Sequence, residues 1–174
     1  MLGSKPNGAI IAVGGQEKAV GLFPASSVLP VQHFSRYMAP FCYISDQREE
    51  FYFIFRGMYC KYFCHLQSIS SHPQGILSLC RIFEDLLQTY EPEVFYHLNS
   101  MGINPLKTVF PWMFYAFVNT IEIDQIFLVF DRILGFESLE ILPILSAGIF
   151  SFRANLIVAC QSQEEFDELF VDLS

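Results

Sequence analysis

The sequence predicts an all-α fold, and three observations carry that reading. Apolar residues recur at helical spacing in several separate stretches, helix start and stop signals punctuate those stretches, and no segment alternates apolar and polar residues between hairpin turns. With 174 residues the chain has the length of one domain, and an array of about seven to eight helices is expected. A hydrophobic fraction of 52% against a charged fraction of 16% supplies a sizeable core and excludes intrinsic disorder.

Residues 1–27 hold Gly3, Gly8, Gly14, Gly15, Gly21, Pro6 and Pro24 with no sustained period, which reads as an irregular lead-in. Gly14-Gly15 lacks the further glycine and the Lys-Ser/Thr of a phosphate-cradling loop. The packed part, residues 28–174, begins near Val28. Phe51 to Leu66 is aromatic-rich without strand alternation and is read as helical. Ser71-His72-Pro73-Gln74 has the serine and glutamine spacing of a capping box, so a helix is expected from there. Ile76, Leu79, Cys80, Phe83, Leu86 and Leu87 fall on one face of that helix, with Arg81, Glu84, Asp85 and Gln88 on the other. Glu91 and Glu93 flank Pro92 in another helix-start position.

Asn104-Pro105 repeats the start signal, and Leu106, Val109, Phe110, Met113, Phe114 and Phe117 continue at helical spacing, with Pro111 expected to kink the stretch. Ile123, Ile126, Phe127, Phe130, Ile133 and Leu134 mark the next helix, and Gly135 stands where a C-terminal glycine belongs. Ser138 is expected to cap a central helix, apolar nearly all round, from Leu139 to Phe152. Ser162 with Glu165 forms a second capping-box signature ahead of Phe166, Leu169 and Phe170.

Ten basic residues against 18 acidic ones give a net charge of −8, which repels a phosphate backbone, so nucleic acid is excluded as a partner. Mean hydropathy is high, yet no apolar run reaches the roughly 18 to 20 residues of a membrane span, and the start has no signal-peptide stretch. A cytoplasmic location is expected. Cys42, Cys60, Cys64, Cys80 and Cys160 are odd in number and scattered, which reads as reduced core thiols. Cys60, Cys64 and His65 cluster without a fourth zinc ligand, so no metal is expected. His33, His65, His72 and His97 are spread singly, and no Gly-x-Ser-x-Gly elbow supports hydrolase chemistry. Glu164, Glu165, Asp167 and Glu168 suit the positive end of a helix dipole. The stripe Phe110, Phe114 and Phe117 reads as core.

His97-Leu98, Pro105-Leu106, Phe110-Pro111-Trp112-Met113, Asp124-Gln125, and Phe130-Asp131-Arg132-Ile133-Leu134 followed by Leu139-Glu140-Ile141-Leu142 form an ordered series. In order and approximate spacing it resembles the C-terminal half of the TBC domain, the all-helical domain that activates GTP hydrolysis by Rab GTPases. Met38 to Tyr43, Ser71 to Ile76 and Arg132 to Leu142 look closest to a divergent branch of that family. The resemblance implies a Rab-family GTPase as partner, no cofactor, a regulatory rather than enzymatic role in vesicle trafficking, and peripheral recruitment to membranes through that partner.

It also implies two side chains presented to the GTPase, an arginine finger from Ile-x-x-Asp-x-x-Arg and a glutamine from Tyr-x-Gln. The glutamine orients the attacking water, and the guanidinium stabilises charge on the transferring phosphoryl group. Gln32 matches the family's glutamine and is the candidate water-positioning residue, with Pro30 where the family has tyrosine. The arginine motif is absent: Ile121-Glu122-Ile123-Asp124 is followed three residues on by Phe127. Arg132 reads as a structural helix residue, and Phe130 replaces the family's tryptophan. Two readings follow, a truncated part of a GTPase-activating domain and a non-catalytic module that binds a GTPase or scaffold. A partial domain is further expected to self-associate through surface its other half would cover.

Overall fold

The computed structural model describes residues 34–171 and 173, so the lead-in expected at 1–27 and the candidate Gln32 lie outside the described residues. Among the described residues the fold is all-α with no sheet. The chain enters through α1 (Ser35–Met38), which runs on as a 3-10 turn over Ala39–Tyr43, with Pro40 in the first turn where its missing N–H costs nothing. Then comes α2 (Arg48–Met58), which passes through a π-helical segment, Tyr59–Phe63, into α3 (Cys64–Leu66). The aromatic stretch 51–66 is thus helical as expected, and the π segment rotates Tyr62 and Phe63 into the core.

The helix α4 (Ile76–Tyr90) buries Ile76, Leu79, Cys80, Phe83 and Leu87, the face its periodicity marks. Its start differs from the expected capping box. Gly75 occupies the cap position without a side-chain bond, and Ser71 makes none there. Gln74 is drawn into tertiary work instead: its Nε2 donates to the Glu137 carbonyl at 3.3 Å, and its Oε1 accepts from the Leu139 amide at 3.3 Å. Next, α5 (Pro92–Ser100) begins at the proline as expected, and α6 (Leu106–Phe114) carries Pro111 in its interior.

That sixth helix stops at Phe114, short of Phe117, because Ala116 and Phe117 adopt left-handed φ values of 49° and 63°. Such a conformation costs roughly 1–2 kcal/mol per residue. Full burial of Phe117 beside Trp112 offsets it, an aromatic side chain contributing about 1.5–3 kcal/mol. The stripe Phe110, Phe114 and Phe117 belongs to the core or packs against it.

The next helix, α7 (Ile123–Phe136), runs past Gly135, and the left-handed closing residue is Glu137 at φ 50°. A Schellman-type bond from the Ser138 amide to the Ile133 carbonyl at 3.2 Å completes the stop. The expected cap at Ser138 is not made: its Oγ accepts from the Glu140 amide at 3.1 Å in the preceding turn, and α8 (Ile141–Phe152) has Glu140 at the cap position with no side-chain bond. After α9 (Ala154–Ala159), Ser162 caps α10 (Gln163–Glu168): the Glu165 amide donates to Ser162 Oγ at 3.2 Å, and Glu165 Oε2 accepts from the Gln161 amide at 2.8 Å.

The pairing of α4 with α8 is the centre of the fold, with α6 and α7 against α8, and α5 linking α4 to α9. Two aromatic nests flank this centre. In one, Phe150 meets Phe83 at 5.3 Å and stacks on Phe170 at 4.9 Å, with Trp112 and Phe166 around it. In the other, Phe130 stacks on Phe41 at 5.5 Å and lies 5.5 Å from Phe63, so Phe130 fills a core position. The expectation of five core thiols is corrected: Cys80 and Cys160 are buried, Cys64 is half-buried, and Cys42 and Cys60 lie on outward helix faces. All five are free thiols. No described helix is long and apolar enough to cross a membrane.

Candidate functional site

Phe34 and α1 are the first described residues after the candidate Gln32 in the sequence. The Phe34 ring lies edge-on to Phe55 at 5.9 Å and to Tyr59 at 5.3 Å, with Tyr37 at 6.2 Å. Aromatic pairs in this geometry add roughly 0.5–1.5 kcal/mol beyond the area they bury. Phe34 remains partly exposed, which places this clamp at the surface.

One turn on, Tyr37 is wholly buried and its hydroxyl donates to the Phe114 carbonyl. That carbonyl belongs to the last turn of α6, where no intrahelical donor follows, so Tyr37 satisfies an acceptor that the left-handed exit leaves open. Burial pushes the Tyr37 hydroxyl far above the usual tyrosine range, and Gln67 opposes the shift only in part, so Tyr37 is a neutral donor at any physiological pH. Gln67 is itself buried, and its Oε1 accepts from the Tyr59 hydroxyl at 2.8 Å. A polar chain thus runs beneath Phe34, with Tyr59 bound to Gln67 and Gln67 beside Tyr37.

Arg36, on the outer face of α1, lays its guanidinium over the Tyr115 ring at 4.7 Å. It is held by that ring in a cation–π contact, which desolvates one face and restricts its reach. Arg132 lies on the outer face of α7, where its Nη1 donates to the Leu128 carbonyl at 3.0 Å, and it is an exposed helix residue as expected. Among the described residues no group of three or more His, Cys, Asp or Glu side chains could hold a metal. His97 Nε2 is 2.9 Å from the Cys160 carbonyl, and His65 stacks on His72 with 4.0 Å between ring centres.

The Rab-GTPase-TBC domain family matches residues 31–158, well over half of the sequence. The chain belongs to this family. The match begins just ahead of Gln32 and runs to the end region of α9. Among curated proteins, human TBC1 domain family member 19 is 44% identical over 171 residues, covering 98% of this chain and 32% of the relative. The chain therefore spans about a third of the length of that relative. No solved structure matches.

The family resemblance offers Gln32 as a candidate, and the residues that hold Phe34 and α1 are not visible in the sequence. Tyr37, Tyr59 and Gln67 are separated along the chain and meet only through the π segment and α3. The one signal in the sequence is the density of aromatic residues from Phe34 to Phe63, more than a single amphipathic helix needs.

Proposed function

We propose that this chain forms part of a GTPase-activating domain of the TBC type, acting on a GTP-bound Rab-family GTPase, with Gln32 as the side chain that orients the attacking water. The family match over residues 31–158 is the observation that carries the reading. Gln32 stands two residues before Phe34 in the sequence, and the Phe34 ring is fixed on three other aromatic side chains.

Phosphoryl transfer to water asks two things of such a protein. The water must sit in line with the scissile bond, and charge on the transferring group must be stabilised. Gln32 can serve the first need with its carbonyl oxygen accepting from the water and its amide donating toward the phosphoryl oxygens. The second need requires a guanidinium, and the arginine motif Ile-x-x-Asp-x-x-Arg does not occur in this sequence. Arg36 is engaged by Tyr115 and does not replace it. In this reading the arginine comes from a longer form of the protein, and the chain as written is a weak activator, since an arginine finger contributes roughly 10³ to 10⁵ in rate.

A second reading is favoured by Pro30 in place of the family's tyrosine together with the absent arginine: a module that binds a GTPase without speeding hydrolysis. Single-turnover GTP hydrolysis by purified Rab GTPases, with this chain and with a longer form carrying an upstream arginine, separates the two. Acceleration by the longer form supports the activator. Binding by both forms with no acceleration from either supports the module.

A further inference from the structure

The outer face of α7 carries Asp124, Leu128 and Arg132 at four-residue steps, all exposed. Leu128, 53% exposed, forms one wall of an open apolar groove of about 500 Å³ between α7 and α8, and Ile144, 51% exposed, forms the other. Val129, Leu145 and Gly148 line its floor, and a Cβ at Gly148 would meet nothing within 4 Å, so the floor is open to an incoming side chain. Neither charge on the stripe is neutralised at home. Arg132 bonds only the Leu128 carbonyl one turn back, and neither Arg132 nor Asp124 has an ion pair among the described residues.

The charges are equidistant from Leu128, one acidic and one basic, four residues to either side. That arrangement is self-complementary. A two-fold axis beside Leu128, with α7 antiparallel to its copy, sets Asp124 toward the partner's Arg132, and the symmetry makes the same pair twice. The four-residue ridge is also the row along which two helices most often interdigitate, at about −50°.

We propose that the α7–α8 face joins two copies of this chain in an isologous dimer, with Leu128 entering the apolar groove of the other copy and Asp124 pairing with the partner's Arg132. Burial of Leu128 and Ile144 drives the contact, and the two ion pairs at its rim set orientation and register. The groove has the wrong make-up for an acidic or phosphate ligand, being apolar with a single cation at its edge.

Sedimentation equilibrium on the full chain tests this, with circular dichroism on every variant to establish that it is folded. Wild type should show a reversible monomer–dimer equilibrium at micromolar concentration, and Leu128→Asp should be monomeric. Asp124→Arg and Arg132→Asp should each weaken the dimer by roughly tenfold or more, because each sets like charges together twice. The double variant Asp124→Arg/Arg132→Asp should recover the dimer. A monomeric wild type would overturn the proposal, as would a dimer indifferent to Leu128→Asp or a double variant no stronger than the singles. None of these readouts depends on GTP hydrolysis, so the dimer and the activator reading fail separately.

Discussion

Tyr37 occupies one of the few polar positions in this core where removal of a single atom has a foreseeable cost. In Tyr37→Phe the ring still fills its place beside Phe63, but the Phe114 carbonyl loses its donor. An unpaired buried acceptor costs about 1–3 kcal/mol, so thermal unfolding of the variant should fall by several degrees. An unchanged melting temperature would mean that the carbonyl finds another donor. None of this could be read from the sequence, in which Tyr37 is one tyrosine of eight and Phe114 is known only as a helix residue. The proposal of Gln32 rests on its position relative to a family motif whose tyrosine is Pro30 here, because a lone glutamine carries no physical signal of catalysis. The cysteines were misjudged for a related reason: composition states how apolar a residue is, while the face on which Cys42 and Cys60 fall depends on where a 3-10 turn and a π segment shift the helical phase.

Helices were legible where period and cap agree. The α10 start has both serine and glutamate in place, and Ser162→Ala should cost about 1 kcal/mol, read as a lower denaturation midpoint. At α4 the period was right and the cap wrong, since the Ser71 to Gln74 pattern cannot reveal that Gln74 bridges to the turn between α7 and α8. The end of α7 shows the same limit. Gly135 offers the left-handed conformation most cheaply, yet the chain adopts it at Glu137, where the Ser138 amide can reach back to the Ile133 carbonyl. Lys61 binds Glu137 at 2.7 Å, but both side chains are mostly exposed, so the ion pair adds little against the conformational strain. Glu137→Gly should therefore raise the melting temperature, and a clear fall would show that the Lys61 contact outweighs the strain.

Stability of the whole molecule rests on the aromatic nests and should respond to acid through His65. Phe150 touches Phe83, Trp112, Phe166 and Phe170. Phe150→Ala should cost about 3–5 kcal/mol, a large part of the roughly 5–15 kcal/mol that holds a domain together. Burial, then the neighbouring His72 ring, lowers the pKa of His65 below the ordinary value near 6.5. A histidine with a depressed folded pKa stabilises above its unfolded value, and that contribution is lost as pH falls through the folded value. Melting temperature should thus decline below about pH 6.5, and His65→Gln should flatten the decline. The central claim concerns Gln32, and the most direct measurement is single-turnover GTP hydrolysis by a Rab GTPase with a longer form carrying the upstream arginine, compared with its Gln32→Ala variant. Gln32→Ala should lose most of the acceleration with binding retained. Equal acceleration by the two forms would contradict it and remove Gln32 from the reaction.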